Sequence, residues 1–229
     1  MYKYLLWDID GTVLDFLAAE AYAVRTLFKK YGLGECTDDM LKMYSAINVK
    51  YWQMLERNEM TKPEILVERF REFFGIIGAD VTLAERFNEE YQVTLGDCVA
   101  FIDGAKEILL SQKEKYTLAA VTNGTRIAQE KKLRLSGLDR IFDAIFISET
   151  VGSEKPNKAY FDYVFESMGI ENKAEVLLIG DSLTGDMRGG AVAGVDTCWF
   201  NPSHQPNTLD VPVTYEIEKI AEIRNILNY

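Results

Sequence analysis

The amino-acid sequence predicts an α/β protein in which a doubly wound parallel sheet is interrupted by an inserted all-helical segment. Apolar runs that are too short for helices alternate with stretches whose apolar residues recur every three or four positions. From about residue 18 to residue 95 the short runs disappear and only the helical periodicity remains. Strands that alternate with helices form parallel sheets, so this interruption divides an α/β core.

Five apolar runs are the predicted strands of the core. The first, from Tyr2 to Trp7, is stopped by an Asp-Ile-Asp-Gly-Thr turn, as expected for a buried strand that opens into a loop. The other four strands are predicted at residues 116–121, 144–147, 176–179 and 195–200. Helices are predicted between them at residues 104–112, 126–135, 158–168 and 184–193.

The helical segment follows directly on the first strand and its acidic turn. We assign residues 17–96 to a helical cap domain, and residues 1–16 and 97–229 to the catalytic core. Turns inside the cap are predicted at residues 32–34, 61–63 and 75–78. Because open α/β sheets bind ligands beyond the carboxyl ends of their strands, we expect the cap to cover that crevice.

Length and charge restrict the kind of partner. The 229 residues are enough for a main domain and a modest second one, and 48% of them are hydrophobic. The formal net charge is -11 and the basic residues are spread along the chain, which disfavours binding of a nucleic-acid polymer. We therefore expect a small-molecule partner. The sequence does not indicate an oligomeric state.

The cysteines and the amino terminus predict a cytoplasmic protein. Cys36, Cys98 and Cys198 are odd in number and far apart, so they indicate neither a disulfide framework nor a zinc site. The first strand begins almost at Met1, without an apolar segment or a cleavage site, so we predict no export signal and no membrane span.

Asp8 and Asp10 are the candidate catalytic pair. They lie two residues apart where the first strand breaks into a loop, and closely held carboxylates repel unless a divalent cation binds between them. Asp8 is the predicted nucleophile, because an acyl phosphate on a carboxylate can be hydrolysed in a second, easier step. Asp10 is then the predicted acid and base. The alternative is a solvated acidic turn or helix cap.

Later strand ends carry residues that could bind the phosphate. Thr122 and Asn123 offer a hydroxyl, an amide and backbone N–H groups, although either could simply cap a helix. Lys155, in a loop fixed by the following proline, could offset the charge of a phosphate. Asp181 could complete a magnesium site, and Asp186 could align Lys155 or a metal-bound water.

Taken in order, these motifs resemble the four motifs of the haloacid dehalogenase superfamily. The matching segments are Asp8-Ile-Asp-Gly-Thr-Val, Thr122-Asn123, Lys155-Pro156 and Gly180-Asp-Ser-x3-Asp186. The resemblance implies a Rossmann-like core with a helical C1-type cap. It also implies Mg²⁺ held by Asp8, the Asp10 backbone carbonyl and Asp181, with the phosphate bound by Thr122 and Lys155.

The superfamily includes dehalogenases, phosphonatases and phosphomutases besides phosphatases. Its dehalogenases lack an acid at the position of Asp10, so the resemblance favours phosphoryl transfer. Phosphonatases use a cap lysine as a Schiff base, for which Lys42, Lys50 and Lys62 are available. A sugar-phosphate or phosphoglycolate-type phosphatase and a phosphomutase remain open. The non-enzymatic alternative is a phosphate-binding regulatory module.

Further stretches resemble bacterial pyrimidine 5′-nucleotidases that remove noncanonical nucleotides. They are residues 8–16, Ala46-Ile-Asn48 with Trp52, residues 180–190 and residues 196–202. This resemblance implies a nucleoside monophosphate substrate. Phe16, Asn48 and Trp52, with Tyr44 and Tyr51, could form an aromatic surface with an amide beside it for a base, or the core of the cap. We expect His204, in a polar loop, to be solvent-exposed.

Overall fold

The computed structural model describes residues 1–227, and six strands in this range form one parallel sheet. The strands are β1 (Tyr4–Trp7), β2 (Thr117–Thr122), β3 (Ala144–Ile147), β4 (Val176–Gly180), β5 (Asp196–Phe200) and β6 (Tyr215–Ile217). Their order in the sheet is β3-β2-β1-β4-β5-β6, and every neighbouring pair is parallel. This arrangement confirms the predicted α/β class.

Four helices follow the first strand, and shorter ones accompany the rest of the sheet. The first group is α1 (Phe16–Tyr31), α2 (Asp38–Glu56), α3 (Lys62–Ile77) and α4 (Ala84–Leu95). The second group is α5 (Ala105–Gln112), α6 (Arg126–Ser136), α7 (Ser148–Val151), α8 (Lys158–Met168), α9 (Arg188–Ala193) and α10 (Ile223–Leu227). Within residues 1–227, none of the helices is both long enough and apolar enough to cross a membrane.

The five predicted strands are confirmed to within two residues, but the sequence analysis missed β6. That strand is only three residues long and lies at the edge of the sheet, so its apolar signal is weak. The helix predicted from residue 184 begins instead with a π-helical turn, Leu183–Met187. The predicted turn at residues 61–63 is the start of α3, where Glu64 accepts a 2.8 Å hydrogen bond from the Thr61 backbone N–H.

The sheet is buried on both faces, which explains why its strands are continuous apolar runs. Successive side chains of a strand point to opposite faces. In β1, Leu5 and Trp7 pack into one apolar cluster with α5 and α10, whereas Leu6 packs into the other with α8. Both clusters are anchored by the same central strand.

The helices α1 to α4 have an aromatic core of their own. It includes Phe28, Phe70, Phe73, Phe87 and Tyr91. Tyr44 belongs to this core, fully buried, with its ring stacked on Phe70 at a centroid distance of 4.9 Å. Tyr44 is therefore not part of a base-binding surface, and the alternative reading of that residue is correct.

The chain topology creates a crevice at one edge of the sheet. From the central strand β1 the chain passes to β2 and β3 on one side, and then crosses to β4 and β5 on the other. Ligands of parallel sheets bind at such a reversal of strand order. The carboxyl ends of β1, β2 and β4 meet there, and each is followed by a polar residue: Asp8, Asn123 and Asp181.

Candidate active site

Lys155 joins residues from three of the sequence motifs. Its ammonium group donates hydrogen bonds to Asp8 Oδ1 at 2.7 Å, Asp186 Oδ1 at 2.6 Å and the Val121 carbonyl oxygen at 2.8 Å. A lysine has three N–H donors, so all of them are used. The side chain is 97% buried. The lysine is therefore a fixed positive charge at the floor of the crevice.

Asn123 holds the backbone of Lys155 in place. Its amide nitrogen donates to the Lys155 carbonyl oxygen at 2.9 Å, and its amide oxygen accepts from the Lys155 N–H at 2.8 Å. The side chain of Asn123 is thus committed to the lysine loop, and a direct contact with phosphate would fall to its main chain. Thr122 is buried beside it, and its hydroxyl oxygen accepts a hydrogen bond from the Gly124 N–H at 3.0 Å.

Three carboxylates converge beside this lysine. Asp8, Asp181 and Asp186 each present an oxygen atom within 4.8 Å of those of the other two. The Thr12 hydroxyl lies between Asp8 and Asp181, 3.2 Å and 3.4 Å from their oxygens. Gly11 closes the turn with a φ of 93°, and a Cβ atom there would lie 2.9 Å from the Asp181 carboxyl carbon. A side chain at residue 11 would therefore displace Asp181.

Burial and neighbouring charges shift the pKa values of Asp8, Asp181 and Lys155. Burial raises the pKa of Asp8 to about 7, although the charge of Lys155 opposes the shift. Loss of surrounding water, and then the negative charges of Asp8 and Asp186, raise the pKa of Asp181. The residue itself remains exposed to solvent. Burial alone would lower the pKa of Lys155, but the charges of Asp186 and Asp8 raise it.

The cluster has the chemistry of a divalent-cation site. One lysine cannot balance three carboxylates, and carboxylate oxygens are the ligands that Mg²⁺ prefers. Both oxygens of Asp186 are already used, one by Lys155 and the other by the Ser182 N–H at 3.1 Å. The two oxygens of Asp8 also accept hydrogen bonds, from Lys155 and Thr12, so all three carboxylates could contribute to an ion site, and Asp186 also orients the lysine.

The Asp10 side chain turns away from this cluster and towards α6. Its two oxygens accept hydrogen bonds from Lys132, at 2.6 Å, and from Gln129. Asp10 is not among the carboxylates that converge at the end of β1. As a metal ligand it could serve only through its backbone carbonyl. Its carboxylate still lines the crevice, where it could exchange a proton with a substrate.

The crevice above the cluster has a volume of about 570 Å³ and lies between the sheet and α2. This size is typical of sites for small metabolites. Helix α2 contributes residues at positions 48, 49, 52, 53 and 56 to its wall. The opposite wall includes Trp199, Gln205, Pro206, Thr208 and Leu209, which follow or end β5.

Phe16, Asn48 and Trp52 all line this crevice. The amide of Asn48 is already occupied, because it donates to Glu20 at 2.9 Å and accepts from Arg69 at 2.6 Å. Phe16 and Trp52 offer ring surfaces to the crevice, and the Lys132 ammonium group lies 5.4 Å from the centroid of the Phe16 ring. Tyr51 instead donates its hydroxyl to Glu72 at 2.9 Å.

Sequence reasoning missed Lys132, Gln129, Glu56 and Trp199. Glu56 is a buried carboxylate that accepts hydrogen bonds from Thr184 and from Ser182, the latter at 3.2 Å, and burial raises its pKa to about 7. A signal for it existed, because residues 48, 52 and 56 share one face of α2. Likewise, Gln129 and Lys132 are polar residues on the face of α6 that also carries buried Ala128 and Leu133.

The residues that the sequence analysis set aside lie outside the site. His204 is exposed and 3.6 Å from Glu218. Cys36 and Cys198 are buried free thiols, and Cys98 is a half-buried one.

The family follows from a comparison with known proteins. The model of the haloacid dehalogenase-like hydrolases matches residues 5–200. The chain belongs to this hydrolase family. Among its relatives, the HAD-hydrolase YfnB of Bacillus subtilis is 42% identical over 229 residues, covering 99% of this chain and 96% of YfnB.

Two other relatives of this hydrolase carry a substrate class in their names. The pyrimidine 5′-nucleotidase PynA of Streptococcus pneumoniae is 35% identical, covering 99% of this chain and 95% of PynA. The pyrimidine 5′-nucleotidase YjjG of Escherichia coli is 26% identical, covering 99% and 98%. The crystal structure of YfnB bound to magnesium, described as revealing interdomain movement, superposes with a TM-score of 0.93, at 41% identity over 100% and 99% of the two chains.

Proposed function

We propose that this hydrolase is a Mg²⁺-dependent phosphomonoesterase that acts through an aspartyl phosphate on Asp8. The observation that carries the proposal is the convergence of Asp8, Lys155, Asp181 and Asp186 at the carboxyl ends of β1 and β4. It supplies a nucleophile, a fixed cation and a set of metal ligands within one small volume. We further propose residues 17–96 as the cap domain over this site.

In the first step, an oxygen of Asp8 forms a bond to phosphorus while the bond from phosphorus to the ester oxygen breaks. Asp10, in its protonated form, gives its proton to that departing oxygen, so a neutral alcohol leaves. In the second step, Asp10 takes a proton from water as the water oxygen bonds to phosphorus. The bond between phosphorus and the Asp8 oxygen breaks, which releases phosphate and restores both carboxyl groups.

Lys155 and Thr122 are the side chains proposed to bind the phosphoryl oxygens. Asp8, the Asp10 carbonyl and Asp181 would hold Mg²⁺, and Asn123 and Asp186 would fix Lys155. When bound, the ion neutralises charge on the phosphoryl group and on the carboxylates around it. A single lysine among three carboxylates leaves the site too negative to accept a phosphate dianion without such an ion.

For the substrate we propose a pyrimidine nucleoside 5′-monophosphate. Phe16, Trp52 and Trp199 give the crevice aromatic surfaces on which a planar base could stack. The names of PynA and YjjG point to the same substrate class. The lysines considered for phosphonatase chemistry do not favour it: Lys42 and Lys50 pair with surface carboxylates, and Lys62 donates to Ser148 at 2.5 Å, outside the crevice wall.

The test is phosphate release from nucleoside monophosphates and sugar phosphates, measured with Mg²⁺ and with EDTA. We expect Mg²⁺-dependent release, highest with pyrimidine 5′-monophosphates and absent in Asp8→Asn. If only sugar phosphates released phosphate, the phosphatase assignment would stand and the nucleotidase assignment would be refuted. Undiminished activity in Asp8→Asn would refute the aspartyl-phosphate mechanism.

Trp52 tests the stacking surface separately. We expect Trp52→Ala to raise KM for uridine 5′-monophosphate by about tenfold, within the range for base stacking on an aromatic ring, and to leave KM for ribose 5-phosphate, which has no base, nearly unchanged. Tyr22→Ala, which removes an exposed aromatic ring of α1, is the matched control. An unchanged KM for every nucleotide in a folded Trp52→Ala protein would remove Trp52 from the site.

A further inference from the structure

Two buried side chains of α6 bind the Asp10 carboxylate, which is not part of the cluster of Asp8, Asp181 and Asp186. Lys132 donates to Oδ1 at 2.6 Å, and Gln129 donates to Oδ2. The side chain of Lys132 is 1% exposed and Gln129 is fully buried, whereas the side chain of Asp10 retains 19% exposure towards the crevice. Asp10 is therefore held by two buried donors, and it remains partly exposed and lines the crevice.

General packing does not account for these two residues. Burying an ammonium group and an amide costs free energy that an apolar pair at the same positions would avoid. Within residues 1–227, the amide oxygen of Gln129 has no hydrogen-bond partner. The buried amide of Gln129 therefore acts as a hydrogen-bond donor to Asp10, and its oxygen has no corresponding role.

The surrounding backbone makes room for this contact. Gln129 passes over Gly124, where a Cβ atom would lie only 2.8 Å from its amide carbon. The first residues of α6 are also anchored: the Thr125 hydroxyl donates to Gln92 of α4 at 2.8 Å, and the Arg126 N–H donates to Glu149 at 2.7 Å. The start of the helix that carries Lys132 is thereby fixed to α4 and α7.

We propose that Lys132 and Gln129 are positioning residues, which hold the Asp10 carboxyl group in the orientation that transfers a proton to the leaving oxygen. This role rests on the proposed function of Asp10. An unrestrained aspartate could rotate about two side-chain bonds, and proton transfer requires a donor within hydrogen-bond distance of its acceptor. The two donors fix both rotations and leave lone pairs of each oxygen for the substrate side.

The test compares two substrates that differ in their need for an acid. The alkoxide of a nucleoside must be protonated as it leaves, whereas p-nitrophenolate departs unprotonated. The constant kcat/KM reports the steps up to departure of the leaving group. We expect Lys132→Met and Gln129→Met each to lower kcat/KM for uridine 5′-monophosphate by about tenfold or more, a part of the roughly 10²–10⁴-fold effect of general acid catalysis.

For p-nitrophenyl phosphate we expect both variants to stay within about threefold of the unmodified protein, because positioning of the acid is then unimportant. Lys131→Met is the matched control, since this neighbouring lysine pairs with Asp97 instead. Thermal unfolding of each variant is measured alongside. If Lys132→Met does not fold, Gln129→Met provides the test of the positioning role.

If kcat/KM fell equally for both substrates, or for neither, the positioning role would be overturned. The phosphatase assignment would still stand. If the unmodified protein hydrolyses neither substrate with Mg²⁺, the proposed function falls, and the role of α6 falls with it. The two failures are therefore distinguishable.

Discussion

At the scale of single residues, Lys155 is the charge that allows carboxylates to be buried together. Its ammonium group lies between Asp8 and Asp186, and Asn123 fixes the backbone that carries it. Removing one partner of a buried ion pair is costly, because the remaining charge stays out of water. Removal of the Lys155 ammonium group would leave both Asp8 and Asp186 without this cation.

We expect Lys155→Met to lower the free energy of unfolding in EDTA by about 3 kcal/mol or more, as for other broken buried ion pairs. Added Mg²⁺ should recover part of this loss, because the ion would supply positive charge beside Asp8. Phosphatase activity should fall by roughly 10²-fold or more, as when another fixed transition-state contact is removed. Urea unfolding and steady-state kinetics measure these effects.

Lys158→Met provides the comparison for this variant. Lys158 pairs with Asp162 at 2.6 Å, but both side chains are more than half exposed, so a loss of at most about 1 kcal/mol is expected. If Lys155→Met were as mild as Lys158→Met, the buried ammonium group would not be what holds the carboxylates together.

At the scale of elements, helix α2 performs two tasks with two faces. Tyr44 and Ile47 face the aromatic core, whereas Asn48, Trp52 and Glu56 reach the crevice. Asn48 also links three helices, because it binds Glu20 of α1 and Arg69 of α3. The position of the crevice wall therefore depends on a buried polar contact between α1, α2 and α3.

Glu20 makes the stability of this contact dependent on pH. Burial raises its pKa from 4.5 to about 7, against the opposing effects of Ser45, Arg69 and Asn48. Folded Glu20 thus keeps a proton at pH values where the unfolded chain has lost it. The resulting stabilisation is complete below pH 4.5 and is lost as the pH rises through 7.

We expect Glu20→Gln, which cannot lose a proton, to gain stability relative to the unmodified protein as the pH rises from 4.5 to 7. The relative gain should reach about 3.5 kcal/mol at most, since the pKa rises from 4.5 to about 7 and one pKa unit corresponds to about 1.4 kcal/mol. Urea unfolding at several pH values measures it, with exposed Glu114→Gln as the control. Parallel pH profiles for all three proteins would show that Glu20 does not titrate in this range.

At the scale of the whole molecule, the site gathers negative charge from segments that are far apart in the chain. Asp8 follows the first strand and Asp181 follows the fourth, and parallel pairing of β1 with β4 brings them together. The folded state alone brings their charges close, so folding is opposed by their repulsion. A cation that binds this cluster would stabilise the entire fold through mass action.

The effect of Asp181→Asn on stability should differ between EDTA and Mg²⁺. In EDTA, Asp181→Asn should be as stable as the unmodified protein or more so, because its repulsion with Asp8 and Asp186 is gone. With Mg²⁺ at 100 times its dissociation constant, the unmodified protein should gain about 2.7 kcal/mol, and the variant clearly less. Calorimetry with and without Mg²⁺ measures both arms.

Asp162→Asn, which removes an exposed carboxylate of α8, controls for a general effect of charge. An equal gain from Mg²⁺ in Asp181→Asn would show that the ion binds elsewhere.

The sequence by itself determined the α/β class and most of the residues at the floor of the crevice. Short apolar runs indicated the strands, because a strand buried on both faces must be apolar throughout. Polar residues at the strand ends, such as Asp8 and Asp181, then had to meet, since the ends of parallel strands lie at one edge of a sheet.

Only the tertiary structure decided which side chains those residues bind. Lys132 lies 122 positions beyond Asp10, and nothing in the local pattern of α6 specifies that partner. Tyr44 and Trp52 both lie on α2, yet one is buried in the aromatic core and the other lines the crevice. Periodicity shows that a helix has faces, but the segments packed against it determine what each face contacts.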